Sequence, residues 1–70
     1  MIKDPKVGDE VWIDRTEYVE TVEMIREPQI IEGVTPVPVT DEHGNWFTTY
    51  AIDIVGSGYI YSEEDLRRVK

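Results

Sequence analysis

The sequence contains no cysteine, a single histidine and, from Asp41 to Asp65, neither lysine nor arginine. Without thiols there is no disulfide to staple a small fold and no thiolate metal site, so stability must come from strand packing, self-association or a partner. The same absence suits a reducing cytoplasm. No apolar run approaches the ~18 residues that cross a bilayer, and the opening MIKDPKVGDE lacks the apolar centre of a signal peptide. A soluble, cytoplasmic protein is expected. His43 lies in the turn-like DEHGN, and the only serines, Ser57 and Ser62, fall at a turn and at a helix cap. Nucleophilic catalysis needs a nucleophile, a base and an orienting group side by side, so no enzyme and no cofactor are expected.

Seventy residues make one domain, 1–70, with a small core, because a chain this short leaves roughly 40 % of its unfolded surface exposed when folded. Fifteen acidic against seven basic residues give a formal charge of -8. That field repels nucleic acid and anionic membranes and attracts basic partners. The charge is blocked. Residues 9 to 32 carry eight acids and two arginines, and residues 41 to 65 carry six acids and no basic residue. Lys3 and Lys6 precede the first block, and Arg67, Arg68 and Lys70 follow the second.

A turn at Gly8-Asp9 leads into a short strand with Val11 and Ile13 on one face and Trp12 on the other. Two templates then compete for Asp14 to Glu27. As a helix, Asp14 is the N-cap, Glu17 completes a capping box, Tyr18, Val22 and Ile25 form an apolar stripe, and Pro28 ends the element. As a strand, the alternation is poorer, but the β-branched and aromatic content suits a pleated surface. The helix accounts for slightly more of the pattern. In either conformation at least three of Glu17, Glu20, Glu23 and Glu27 share one face.

From Gln29 to Val55 the pattern is β, broken at Gly33 and at Asp41–Asn45. Pro36 and Pro38 are two apart, so their missing N–H groups lie on one side, which is tolerable only at a sheet edge or a bulge. Along Trp46–Val55, one face carries Trp46, Tyr50, Ile52 and Ile54 and is expected to be core. The other carries Phe47, Ala51, Val55 and Asp53, whose carboxylate then faces outward. GSG turns the chain into YIY, and Ser62 starts a last short helix through SEEDLRRVK, with acids in its first turn and Arg67, Arg68 and Lys70 in its last. The fold class is β-rich α+β: a small, strongly bent antiparallel sheet or partly open barrel with one or two short helices.

KVGDEVW and YIYSEEDLRRV resemble the opening strand and the closing strand-plus-turn of SH3-like small β-barrels. The match covers about a quarter of the chain; it implies a partly open barrel or bent sheet and no particular activity.

Metal binding by DEHGN fails on spacing, since adjacent acids point apart and the alternating ligands of a calcium loop are missing. GSG has no lysine after it to hold a phosphate. Trp12, Trp46, Phe47 and the four tyrosines lack the basic groove of a single-strand binder, so most are core, with one or two left for an interface.

The acids are what need explaining, because surfaces normally mix signs. DNA carries one negative charge per ~1.7 Å of axis, and one helical stripe supplies one per ~5 Å. The stripe Glu17, Glu20, Glu23 and Glu27 therefore needs Asp41, Glu42, Asp53, Glu63, Glu64 and Asp65 beside it, or a second copy of the chain in a homodimer. In size and charge the chain is similar to the DNA-mimic inhibitors that bacteriophages and mobile elements encode. That similarity implies a partner with a basic nucleic-acid-binding surface, such as a histone-like protein, a polymerase or a nuclease, met in a host cytoplasm. The alternative is an SH3-like interaction module or accessory subunit that binds through an aromatic face.

Overall fold

A computed structural model describes every residue from Met1 to Lys70. Five strands form one antiparallel sheet: β1 (Glu10–Ile13), β2 (Gln29–Thr40), β3 (Trp46–Ile54), β4 (Ile60–Tyr61) and β5 (Leu66–Arg68). Their order is β4-β3-β2-β1-β5. The two outer strands do not pair, so the sheet stays open. They are joined instead by a 3-10 turn, Glu63–Asp65, and a single helical turn, α1 (Glu23–Arg26), lies in the long β1–β2 connection.

β1 sits inside the sheet. Glu10 and Val11 pair with Ile30 and Gln29 of β2, and Val11, Trp12 and Ile13 pair with Arg68, Arg67 and Leu66 of β5. The alternation read from the sequence holds, because Val11 and Ile13 are buried while Trp12 is half-covered beneath the Arg67 guanidinium, 5.9 Å from its ring. Eight side chains make the core: Ile2, Val11, Ile13, Ile31, Ile52, Ile54, Tyr61 and Leu66. Five are isoleucines, whose β-branched shape fills the space between bent strands with little χ1 freedom to lose.

β2 bends at Glu32. Ile31 pairs with Ile54, but the next pair is Gly33 with Asp53, so one residue of β2 is left over as a bulge. Gly33 suits the position because a Cβ would lie 3.0 Å from the Asp53 carboxylate, which would have to shift to admit it. Gly33→Ala is expected to cost about 1 kcal/mol by pushing Asp53 aside. A urea unfolding midpoint equal to that of the parent chain would show that the carboxylate moves away freely.

Beyond the bulge, β2 and β3 run as a long hairpin. Its turn is held by Gly44 at φ 80° and by the Asp41 carboxylate, which accepts N–H bonds from His43 at 2.8 Å and Asn45 at 2.9 Å. The expected turn at DEHGN is therefore present. The molecule measures 40 × 23 × 20 Å, the long dimension matching the reach of the 12-residue β2 at about 3.3 Å per residue.

Three expectations are corrected. Neither template holds over Asp14 to Glu27, since only Glu23–Arg26 is helical and the rest is turn and irregular chain. Asp14 caps nothing and instead pairs with Arg67 at 3.2 Å, while Glu17 pairs with Arg15 at 3.2 Å. Thr16, Tyr18, Val19, Thr21 and Val22 are poor helix formers, and glutamates three and four apart repel. Tertiary anchors decide the path: the Tyr61 hydroxyl donates to the Tyr18 carbonyl, and Glu20 grips the β3–β4 turn.

The closing helix is also absent. Only Glu63–Asp65 turns, and Leu66–Arg68 extends as β5, because β1 has an open edge that these residues pair with. Arg67 and Arg68 then meet Asp14 and Asp9 rather than a helix end.

The third correction concerns the core face of β3. Ile52 and Ile54 are fully buried, but Tyr50 is only half-buried and Trp46 is 72 % exposed. The face is right and the core ends before the strand does, because the hairpin outruns the elements that cover it.

Candidate interaction surface

The ten carboxylates singled out in the sequence fall into three structural groups. Asp65 is buried and belongs to the fold, contrary to its expected place on a partner surface. Its Oδ2 accepts from the Ser62 N–H at 3.0 Å and the Ser62 hydroxyl at 3.1 Å, and its Oδ1 accepts from Arg15 at 3.3 Å. A carboxylate in that position shapes the 3-10 turn and holds the β1–β2 connection through Arg15.

A second group is exposed or half-buried but committed to local geometry. Glu20 accepts the Ser57 hydroxyl on one oxygen and the Gly58 N–H on the other, each at 2.9 Å, and so clasps the β3–β4 turn. Ser57 also meets the Tyr61 hydroxyl at 3.0 Å. Burial of that phenol raises its pKa above the usual tyrosine value and keeps it a neutral donor. Glu63 accepts from the Thr49 hydroxyl at 3.0 Å, and Asp41 holds the hairpin turn. Asp53 lies on the face opposite Ile52 and Ile54, half-buried against Gly33.

The third group, Glu17, Glu23, Glu27, Glu42 and Glu64, is exposed. Glu17 is paired with Arg15, and Glu42 faces only His43, at 3.7 Å. Glu23, Glu27 and Glu64 meet no cation.

Apart from Arg26, which lies in α1 between Glu23 and Glu27 without an ion pair to either, the cations are elsewhere. Arg15, Arg67 and Arg68 form the protein's arginine ion pairs, with Glu17, Asp65, Asp14 and Asp9. Of the ten acids, only Glu17 and Asp65 have a Lys or Arg partner; the other eight are uncompensated. They are spread out, with Asp41 and Glu42 at the hairpin tip, Glu20 at the β3–β4 turn, and Glu23 and Glu27 around α1. No three His, Asp or Glu side chains converge as a metal ion requires. No helix is long and apolar enough to cross a membrane.

Two carboxyls are more acidic in the folded chain than their ordinary value of 3.8. Asp9 is lowered mainly by the hydrogen bond from Arg68, against a smaller opposing effect of burial, and Asp41 mainly by the Asn45 N–H. A depressed folded pKa contributes stability that is complete above the unfolded value and lost as pH falls through the folded one. The thermal midpoint is therefore expected to drop as the pH is lowered from about 5 to below about 3, less steeply in Asp9→Asn. Parallel acid profiles for the two proteins would remove Asp9 from that account.

The acid pattern gives no sign of a second surface. A shallow groove of about 250 Å³ is lined by Val37, Thr49, Tyr50, Ala51, Ile60 and Tyr61, and Trp46 and Phe47 stand exposed on the same hairpin. Adjacent aromatics just after a turn were the available signal, since a strand leaving a turn starts outside the core. Tyr18 and Tyr59 form another aromatic pair, 5.8 Å between ring centres, beside Arg15. Comparison with protein-family models, with curated proteins and with solved structures gives no match for this chain.

Proposed function

We propose that the protein is a small acidic binding protein that occupies the basic, nucleic-acid-binding surface of a partner. The observation that carries this reading is the segregation of charge. Three of the four arginines are drawn into pairs around β1 and β5, leaving eight of the ten acids without a Lys or Arg ion-pair partner. Mixed-sign surfaces neutralise themselves locally, and this one does so only at one end.

Charge density sets how much of a duplex one chain can replace. A 40 Å length of duplex carries about 24 phosphate charges, against a net charge of -8 here. One chain therefore substitutes for a short stretch of DNA and not for a full turn and more.

The test uses Glu23→Gln, Glu27→Gln, Glu42→Gln and Glu64→Gln together, because none of these side chains bonds to the fold beyond the contact of Glu42 with its neighbour His43. Affinity for a basic DNA-binding protein such as a histone-like protein is expected to fall about tenfold, with a shallower salt dependence and unchanged thermal stability. DNA should displace the parent chain. Unchanged affinity, or failure of DNA to compete, rejects the reading.

A second reading, an SH3-like interaction module, is favoured by the strand order. The last strand returns to pair with the first after a 3-10 turn, and an aromatic groove lies on the hairpin. Binding through that groove would be nearly indifferent to salt and lost on Tyr50→Ala.

A further inference from the structure

The β2–β3 hairpin has two edges beyond the core, and they are chemically different. Asp41 N–H donates to the Asn45 carbonyl at 2.9 Å, which makes this a hydrogen-bonded pair continuing the β2–β3 register. Bonded and non-bonded pairs alternate along an antiparallel ladder, so Thr40–Trp46, Pro38–Thr48 and Pro36–Tyr50 are non-bonded pairs. Backbone groups of those six residues point away from the partner strand. On β2, two of the three outward positions are prolines with no N–H to give, and β1 covers only Gln29 and Ile30. That edge cannot extend the sheet.

On β3 the outward positions are Trp46, Thr48 and Tyr50, and each keeps both its N–H and its C=O. β4 pairs only with Ile52 and Asp53, and the 3-10 turn that follows it packs against β3 and meets the Thr49 hydroxyl through Glu63, so no strand occupies this edge between the hairpin turn and Ile52. The strand itself is also neutral, the one carboxylate beside it being Glu63 on the Thr49 hydroxyl. From Asn45 to Ile52 there is no charged residue, in a chain of net charge -8. Natural edges are normally guarded by lysine, proline, a bulge or shortness, and this one has none of those guards.

We infer that the β3 edge pairs antiparallel with the β3 edge of a second copy of this chain, with Thr48 on the two-fold axis. The strand is self-complementary in that arrangement. Thr48 exchanges two hydrogen bonds with its own copy, and Trp46 exchanges two with Tyr50 at each end of the pairing. Trp46 and the copy's Tyr50 become same-face cross-strand neighbours, as do Phe47 and Thr49, which covers the two most exposed aromatics of the hairpin. Pairing stops at Asn45 on one side and at β4 on the other. A second copy suits this edge better than a basic partner, because the strand carries no carboxylate of its own between Asn45 and Ile52. The inference does not rest on the proposed function, although a dimer would double the acidic charge available to a partner.

Sedimentation equilibrium and amide hydrogen exchange test it directly. The parent chain should show twice its 8.1 kDa mass at millimolar concentration. Amides of Trp46, Thr48 and Tyr50 should become protected as concentration rises, while those of Phe47 and Thr49, bonded within the hairpin, stay protected throughout. Thr48→Pro mimics the prolines opposite, removes only an outward N–H, and is expected to weaken the dimer at least about tenfold while leaving the monomer folded. A parent chain that is monomeric at millimolar concentration overturns the inference, and so does a dimer that Thr48→Pro leaves intact. If Thr48→Pro does not fold, the exchange pattern decides alone: Thr48 protection independent of concentration rejects the pairing.

Discussion

Replacing Ile52 by alanine is expected to lower the thermal midpoint by roughly 15–25 °C. Ile52 is fully buried where three strands meet, paired with Val34 of β2 on one side and Tyr61 of β4 on the other. Truncation of a buried isoleucine costs about 2–5 kcal/mol in transfer free energy and residual cavity. A domain of this length has about 4–10 kcal/mol in total. With only eight core side chains, the neighbours have few ways to close the gap. Ile60→Ala is the control, since Ile60 pairs with Asp53 on the outward face and is 60 % exposed. Calorimetry should find its midpoint almost unmoved. Equal shifts for the two variants would mean that the two faces of β4 have been assigned wrongly.

Asp65→Ala is expected to cost about 2–3 kcal/mol, an unusual loss for one carboxylate in a protein with too many. Three donors converge on it, namely the Ser62 N–H, the Ser62 hydroxyl and the Arg15 guanidinium. Removing the acceptor leaves the Ser62 groups unpaired in the turn that leads into β5. The Arg15 share is modest, because that side chain is 42 % exposed and water replaces part of the lost attraction. Glu64→Ala, one residue away and exposed, should change stability by less than about 0.5 kcal/mol. Chemical denaturation of the two variants separates a structural carboxylate from a surface one. If Asp65→Ala unfolds at the same denaturant concentration as Glu64→Ala, Asp65 contributes no more than surface charge.

The sheet was readable where alternation and turn chemistry agreed. Val11 and Ile13 face inward, Asp41–Asn45 turns the hairpin, and Pro36 and Pro38 lie on an unpaired edge. Each follows from local rules with a two-residue period or a fixed turn geometry. The β1–β2 connection was not readable. A capping-box pattern at Asp14 and Glu17 is a local signal, and the tertiary anchors through Arg67, Arg15, Tyr61 and Ser57 outweigh it. The closing segment misled for a related reason: SEEDLRRVK has helical end charges, but β1 offers Leu66–Arg68 a ladder of hydrogen bonds and a place for Leu66 in the core.

The acidic surface divides in the same way. Composition alone determined that the chain is acidic, that its cations lie mainly at the ends, and that thiol chemistry is excluded, because these are sums and positions along the sequence. Which carboxylates are available was decided only by the tertiary structure. Glu20, Glu63 and Asp65 look alike in the sequence as members of an acidic run. In the folded chain the first grips a turn, the second meets Thr49 across the sheet and the third is buried beneath Arg15. The physical reason is distance along the chain: these contacts join residues 14 to 50 positions apart, and no local pattern encodes which donor a carboxylate will find once the sheet has bent.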